Sequence, residues 1–176
     1  MTVANAVIEC AKKIKLLLLD VDGVLTDGRL YYGNSGEEMK AFNIQDGLGI
    51  KLLQQGDIQV GIITGRVSAL LQRRADELGI NPVVQGREDK LTALNELLEN
   101  RDIGMDEIAF MGDDLPDLAV IRCVGLGITP ANGSSTLAQQ AQWQTARRGG
   151  DGAVREVAEM ILGAQGKLDA IVAAYQ

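Results

Sequence analysis

Short apolar runs that end in a polar side chain are the feature that most constrains this sequence. Residues 15–20 read KLLLLD, and residues 58–64 and 107–112 repeat the pattern. A continuous apolar run of this length is typical of a strand buried on both faces of a parallel sheet. Residues 82–85 repeat the pattern as well, and residues 124–128 and 143–146 are candidates for further short strands.

Helical patterns separate these runs. Apolar side chains recur at helical spacing over residues 46–55, 67–78, 89–100 and 151–164, and Gly79 follows the second pattern as a C-cap. A short helix is also expected over residues 3–13. This alternation predicts an α/β fold, a three-layer, doubly wound, Rossmann-like parallel sheet in one domain over residues 1–176.

Residues 29–43, RLYYGNSGEEMKAFN, interrupt the alternation. Two strand-like runs flank a Gly-Asn-Ser-Gly turn, which predicts a β-hairpin. Ligands in open α/β sheets bind outside the carboxyl ends of the strands, and the hairpin follows the first strand there. We therefore expect a flap over about residues 28–44. The gaps between motifs leave no room for a cap domain, and residues 149–176 form a C-terminal helix and tail.

Composition excludes several classes of function. Histidine is absent, which excludes histidine-assisted nucleophiles and histidine metal ligands, so acid–base chemistry falls to carboxylates, lysines or tyrosines. The net charge of -7 repels phosphate backbones and argues against a nucleic-acid partner. Two distant cysteines, no signal-peptide layout and no apolar run of about 20 residues predict a cytoplasmic protein without membrane contact.

Polar groups follow the ends of four successive predicted strands. They are Asp20 and Asp22 in DVDGVLT, Thr64 in TGR, Lys90 at a helix start, and Asp113, Asp114 and Asp117 in GDDLPD. A strand-end carboxylate such as Asp20 can attack phosphorus and form an aspartyl phosphate. Asp22 can protonate the leaving oxygen and then activate water. Thr64 and Lys90 supply a hydroxyl and an ammonium for the phosphoryl oxygens.

Carboxylates crowded in this way require a cation. Hard oxygen ligands suit Mg²⁺, which uses one or two carboxylates together with phosphate oxygens and waters. We expect Asp20 and Asp113 to bind Mg²⁺ through their side chains and Asp22 through its carbonyl oxygen. Asp114 and Asp117 would support these ligands from behind.

The order DxDGxxT, strand-end Thr, Lys and GDDxxD resembles the haloacid dehalogenase superfamily. Residues 19–49, IITGR at 62–66, Gln85-Gly86 and GGDGAVREV at 149–157 are similar to its capless 3-deoxy-D-manno-octulosonate 8-phosphate phosphatases, and the similarity covers nearly the whole chain. The resemblance implies Mg²⁺-dependent hydrolysis of this sugar-acid phosphate in lipopolysaccharide biosynthesis. It also implies a homotetramer in which neighbouring subunits complete each site.

By the same resemblance, substrate contacts fall on Asp22, Asn43, Ile44, Gln45, Asp46, Gly47, Lys51, Arg66, Arg74 and Lys90. A sugar acid carries a carboxylate, which arginine can grip through two parallel hydrogen bonds. Arg66 and Arg74 lie on one predicted helix, eight residues apart, so we expect them to face the same side.

Three alternatives stay open. A phosphatase for a nine-carbon sugar acid 9-phosphate would use the same chemistry. A phosphomutase is less favoured, because a capless site releases the phosphoryl group to water. A non-catalytic oligomerisation module would not require Asp20, Asp22, Lys90 and Asp113, all of which are present.

Overall fold

The computed structural model describes residues 3–34 and 38–175. Eight strands lie in these residues: β1 (Leu16–Leu19), β2 (Tyr31–Tyr32), β3 (Glu38–Met39), β4 (Gln59–Ile63), β5 (Val83–Val84), β6 (Ile108–Met111), β7 (Leu126–Thr129) and β8 (Trp143–Gln144). Six of them form one sheet in the order β5-β4-β1-β6-β7-β8, and every neighbouring pair is parallel. The first strand therefore lies near the centre of the sheet.

Helices cover both faces of this sheet. They are α1 (Asn5–Ala11), α2 (Ile44–Gln55), α3 (Ala69–Leu78), α4 (Lys90–Leu98), α5 (Leu118–Cys123), α6 (Ser135–Gln140), α7 (Ala153–Ala164) and α8 (Leu168–Ala173). Buried side chains of α1, α2, α3 and α7 pack on one face, and those of α4, α5 and α6 pack on the other. The three-layer α/β fold predicted from the sequence is confirmed. No described helix has the length and apolarity needed to cross a membrane.

The central strand shows why its sequence is apolar without interruption. All four residues of β1 are buried. Successive strand side chains point to opposite faces, so Leu17 and Leu19 enter the core on the α2 and α7 side, whereas Leu16 and Leu18 enter the core on the α4 and α5 side. Each buried leucine contributes about 1.5–3 kcal/mol of hydrophobic stabilisation, and together they fix the strand that carries Asp20.

The predicted hairpin is present as a separate two-stranded sheet. Tyr31 pairs with Met39 and Tyr32 with Glu38 in antiparallel register. Residues 35–37, which include the second half of the predicted Gly-Asn-Ser-Gly turn, lie outside the described residues. Among the described residues, the segment between β1 and α2 contains this hairpin and no other strand or helix.

Helix α3 begins later than the sequence predicted. Ser68 has extended backbone (φ -146°, ψ 124°), and its hydroxyl accepts a hydrogen bond from the Leu71 amide as the N-cap. Arg66 therefore precedes the helix, and the expectation that Arg66 and Arg74 share one helical face is wrong. Gly79 ends the helix in the left-handed region at φ 66°, which confirms its predicted C-cap role.

The glycine-rich segment before α7 packs against the loop after β1. A Cβ atom on Gly149 would collide with the carbonyl oxygen of Gly23, and the Gly150 amide donates to the carbonyl oxygen of Val24 at 2.9 Å. Asn132 links the two segments, because its amide group donates to the Gly23 carbonyl at 3.4 Å and accepts from the Gly149 amide at 2.6 Å. The C-terminal segment thus shapes the loop that follows Asp20.

Candidate active site

A pocket of about 600 Å³ opens at the carboxyl ends of β1 and β4. Among the described residues, its lining consists of Asp20, Asp22, Thr64, Gly65, Arg66, Glu88, Lys90 and Pro116. Because β1 and β4 are adjacent and parallel, the residues that follow them meet at the same edge of the sheet. The cavity therefore brings together polar residues of three motifs, and the fourth motif, GDDLPD, contributes Pro116 to the lining.

Lys90 connects the first and the fourth motif. Its ammonium lies 2.9 Å from Asp20 Oδ1 and donates to Asp117 Oδ1 at 2.6 Å. All three side chains are nearly inaccessible to solvent, with at most 9% exposed. Burial opposes the charged form of Lys90, but the carboxylates of Asp20 and Asp117 outweigh burial and raise the pKa of Lys90. Lys90 is therefore a fixed cation beside the predicted nucleophile.

Three carboxylates crowd this edge of the sheet. Asp20, Asp113 and Asp117 each place an oxygen within 4.8 Å of the others. Burial is the main cause that raises the pKa of Asp20 to about 6 and that of Asp113 to about 7, and the neighbouring carboxylates add to both shifts. Such a set of partly desolvated oxygen donors fits a hard divalent cation, and Mg²⁺ is the cation that it suits.

The two carboxylate oxygens of Asp117 are already engaged. Oδ1 accepts from Lys90, and Oδ2 accepts from the backbone amides of Asp113 and Asp114 at 3.0 and 3.3 Å. Asp117 is thus better placed to support the site than to bind a metal itself, which leaves Asp20 and Asp113 as the side chains that would hold Mg²⁺. The exposed side chain of Asp114 accepts from the Leu115 amide at 2.9 Å and caps the turn.

Glycine is required where Asp113 approaches the loop after β1. Gly23 has φ 91°, in the left-handed region, and a Cβ atom there would collide with the carboxylate of Asp113. A Cβ atom on Gly112 would likewise collide with the Asp117 carboxyl group. These two glycines allow Asp113 and Asp117 of the GDDLPD motif to pack closely at this edge of the sheet, beside the DVDGVLT motif.

Asp22 also lines the pocket, and two cations contact its carboxylate. Lys40 Nζ donates to Asp22 Oδ1 at 2.5 Å, and Arg66 Nε lies 3.5 Å from Oδ2. Arg66 also donates through Nη2 to the hydroxyl of Tyr32 in the hairpin at 3.3 Å. Lys40 was not predicted from the sequence, because nothing in the hairpin sequence distinguishes it from an ordinary exposed lysine.

Thr64 directly follows β4. Its side chain is buried, its amide donates to the Val84 carbonyl at 2.9 Å, and its carbonyl accepts from the Arg87 amide at 3.0 Å. These two hydrogen bonds fix the backbone of Thr64, which lines the pocket together with Asp20.

The segment predicted to contact substrate around α2 lies outside this lining, as do Lys51 and Arg74. Asn43 is the N-cap of α2 and accepts from the Gln45 amide at 2.7 Å, while the Gln45 side chain accepts from Arg147 at 2.8 Å. Asp46 is buried, and its carboxylate accepts from the backbone amides of Gly152 and Arg155 at the start of α7. Ile44, the first residue of α2, has 83% of its surface exposed.

Arg74 packs on the backbone of α2. A Cβ atom on Gly47 would collide with its guanidinium group, and the same group lies 3.5 Å from the Glu77 carboxylate. Lys51 donates to the Glu77 carbonyl oxygen at 3.4 Å. The two cations therefore join α2 to α3, whereas Arg66 alone of the two predicted arginines lines the pocket.

Known proteins are similar to this chain. The sequence pattern of a family described as haloacid dehalogenase-like hydrolase matches residues 82–157. A 3-deoxy-D-manno-octulosonate 8-phosphate phosphatase of Yersinia pestis is 49% identical over 167 residues, which cover 95% of this chain and 89% of the relative. This chain belongs to the 3-deoxy-D-manno-octulosonate 8-phosphate phosphatases. The resemblance noted from its motifs is confirmed.

Solved structures of this phosphatase family superpose closely on the chain. The phosphatase of Moraxella catarrhalis, in complex with a magnesium ion, a phosphate ion and a KDO molecule, has a TM-score of 0.95 at 48% identity, covering 98% of this chain and 99% of that one. The cobalt-bound phosphatase of Haemophilus influenzae has a TM-score of 0.88 at 39% identity, covering 92% and 94%.

Proposed function

We propose that this chain is a Mg²⁺-dependent phosphatase that converts 3-deoxy-D-manno-octulosonate 8-phosphate into 3-deoxy-D-manno-octulosonate and phosphate, in lipopolysaccharide biosynthesis. As a member of the family, it is a phosphoric monoester hydrolase. One observation carries the mechanism: buried Asp20 lies 2.9 Å from the Lys90 ammonium and beside the Asp113 carboxylate at the floor of the pocket.

In the first half-reaction, an Asp20 oxygen attacks the phosphorus atom of the substrate. The bond between phosphorus and the sugar oxygen breaks, and the proton of the Asp22 carboxyl group passes to that oxygen. Lys90 and the Thr64 hydroxyl hold the phosphoryl oxygens. Mg²⁺, held by Asp20 and Asp113 and by the carbonyl oxygen of Asp22, would neutralise phosphoryl charge when bound.

In the second half-reaction, the Asp22 carboxylate takes a proton from water as the water oxygen attacks the phosphorus atom. The bond from phosphorus to Asp20 breaks, and inorganic phosphate leaves. Asp20 is a carboxylate again, and Asp22 again holds a proton. The net reaction adds one water to the phosphate monoester, so no further reactant is required.

Recognition of the sugar acid falls on Arg66. Its side chain is 42% exposed at the pocket, and its fork of donors matches a carboxylate. The hairpin and the residues around it, about 28–44, act as a flap over the pocket. Contact between the Tyr32 hydroxyl and Arg66 supports this role, because it joins the flap to the recognition group.

We also place the enzyme in the cytoplasm as a homotetramer. Cys10 and Cys123 are free thiols, as expected in a reducing compartment. The two-stranded hairpin exposes Leu30, Tyr31, Tyr32 and Met39, and a hairpin of two strands is marginally stable alone. Packing against hairpins of other subunits would cover these side chains. Light scattering of the purified protein tests this, and a fully active monomer would refute it.

A substrate profile tests the proposed function. Phosphate release is measured with Mg²⁺ on 3-deoxy-D-manno-octulosonate 8-phosphate, on a nine-carbon sugar acid 9-phosphate and on neutral sugar phosphates. We expect the highest kcat/KM for the eight-carbon acid. An equal or higher value for the nine-carbon acid would transfer the assignment to that substrate, and absence of any turnover would leave the non-catalytic alternative.

A further inference from the structure

Lys40, directly after β3, has an environment unlike that of the hairpin around it. Its side chain is 1% exposed, whereas Met39 beside it and Tyr32 across the hairpin are exposed. Lysine is rarely buried to this degree unless its ammonium is paired, because the unpaired charge is costly to desolvate. The burial therefore indicates a specific partner rather than a solvated charge.

Among the described residues, Asp22 is a partner of this kind. The 2.5 Å contact from Lys40 Nζ to Asp22 Oδ1 joins residues 18 positions apart in the sequence. Arg66 approaches the other oxygen, Oδ2, at the longer distance of 3.5 Å and is itself accessible to solvent. The shorter, charge-assisted contact thus comes from the hairpin, and it leaves Oδ2 on the side of Arg66 and the pocket.

Orientation matters at Asp22 because a proton can be transferred only over a hydrogen-bond distance. A misplacement of about 1 Å can lower a rate by about 100-fold. A carboxylate on a short side chain turns about two bonds unless a contact fixes it. We propose that Lys40 is a positioning residue for Asp22, which fixes Oδ1 so that Oδ2 meets the leaving oxygen. The inference rests on the proposed function, since it concerns the proton donor of that reaction.

In this role Lys40 connects the hairpin to the Asp22 carboxyl group, so the hairpin helps to hold the proton donor in place. Over the residues that the structure describes, the hairpin is hydrogen-bonded within itself and forms no ladder with the six-stranded sheet. The position of Asp22 therefore depends on where the hairpin sits, in addition to the loop that carries it. A simpler role, in which Lys40 only anchors the hairpin, would impair every substrate alike.

Leaving-group dependence separates these two roles. Wild type, Lys40→Met and Lys40→Arg are assayed with Mg²⁺ on 3-deoxy-D-manno-octulosonate 8-phosphate and on p-nitrophenyl phosphate, whose nitrophenolate leaves without a proton. The value of kcat/KM covers only the steps through formation of the aspartyl phosphate. We expect Lys40→Met to lower it by about 100-fold on the sugar phosphate and by less than about threefold on the aryl phosphate. Lys40→Arg should recover most of the loss.

Lys12→Met is the matched control. It removes an exposed lysine at the end of α1 that pairs with Glu9 rather than with Asp22, so it should keep both activities. Asp22→Asn should show the same leaving-group pattern as Lys40→Met, and adding Lys40→Met to it should change little.

Equal losses on both substrates would overturn the inference in favour of an anchoring role, and unchanged activity on both would overturn it as well. If Lys40→Met does not fold, Lys40→Gln is compared with wild type on the same two substrates. Its activity on the aryl phosphate then shows that the site is folded. If the wild-type enzyme does not hydrolyse the eight-carbon substrate but hydrolyses another alkyl phosphate, the proposed function is wrong. The test of Lys40 then proceeds on that ester.

Discussion

Asp20 Oδ1 and Lys90 Nζ lie 2.9 Å apart, and both side chains are almost wholly removed from solvent. Burial raises the pKa of Asp20 to about 6, and the Lys90 ammonium opposes that shift by favouring the anion. In the proposed mechanism, Lys90 thus keeps the nucleophilic carboxylate available in a desolvated place. Lys90 also lines the pocket, so the same ammonium would serve the substrate as well.

Replacing the nucleophile tests this relationship. Asp20→Asn keeps the shape of the side chain but removes the attacking anion, so we expect kcat to fall by about 10³-fold or more. Thermal unfolding should stay near that of wild type, because the amide is no more costly to bury. Asp27→Asn, in the same loop but with an exposed side chain, is the control. Comparable turnover in Asp20→Asn would refute the assignment.

Turnover should depend on Mg²⁺, and the affinity for Mg²⁺ should depend on Asp113. Chelation with EDTA should stop turnover, and added Mg²⁺ should restore it. Asp113→Asn should raise the Mg²⁺ concentration needed for half-maximal activity by about 10-fold or more, since it removes one proposed ligand. Asp114→Asn, whose exposed side chain caps a turn, should shift that concentration little. Titrations of activity and of melting temperature against Mg²⁺ check both variants, and metal-independent turnover would contradict the ligand set.

Gly23→Ala should disrupt the same metal site from the backbone side. The new Cβ would collide with the Asp113 carboxylate at a residue whose φ of 91° already disfavours a side chain. We expect weaker Mg²⁺ binding, lower kcat and a loss of about 1–3 kcal/mol in the free energy of unfolding. Gly163→Ala in α7, where a Cβ meets nothing within 4 Å, should be neutral or stabilising. An unchanged Mg²⁺ titration in Gly23→Ala would show that the loop can yield.

Recognition of the substrate carboxylate should depend on Arg66. Arg66→Ala removes a two-point contact, so kcat/KM for the sugar-acid phosphate should fall by about 10- to 100-fold, with a smaller effect on phosphates that lack a carboxylate. Arg73→Ala is the control, because that arginine is exposed on α3 and pairs with Glu77. Equal effects of Arg66→Ala on acidic and neutral substrates would argue against carboxylate recognition.

The buried carboxyl group of Asp46 predicts a pH dependence of stability. Burial raises its pKa above the ordinary value of 3.8, against the opposing effect of the amides of Arg155 and Gly152. The folded state therefore keeps a proton that the unfolded state releases, and this contribution is lost as the pH rises through the raised pKa. The unfolding free energy of wild type should therefore fall relative to that of Asp46→Asn as the pH rises from about 4. Urea unfolding of both proteins over a pH series measures this change, and a rise of wild type relative to Asp46→Asn would contradict the raised pKa.

The sheet and the centre of the site could be predicted because local sequence determines them. The leucines of β1 are apolar on both faces, and neighbouring parallel strands place the residues after their carboxyl ends at one edge of the sheet. That rule alone brings Asp20, Thr64 and Lys90 together. The short helices α5, α6 and α8, of six residues each, were missed, because so few residues give little periodic signal.

The rest depends on contacts between distant segments. Lys40 reaches Asp22 only because the hairpin folds back over the sheet edge. Asp46 lies on α2 and caps α7, and the sequence pattern of α2 does not predict this contact. The predicted start of α3 is too early, because the apolar pattern continues upstream of the Ser68 cap. For the same reason Arg66 was predicted to lie on this helix, which it precedes.

The packing of Gly149 and Gly150 against the loop after β1 has a consequence during synthesis. Asp20 leaves the ribosome early, but the contacts that shape the loop after it come from the Asn132 side chain and from glycines that are translated much later. A nascent or prematurely terminated chain that lacks these residues therefore carries Asp20 and Asp22 without the contacts that fix the loop after them.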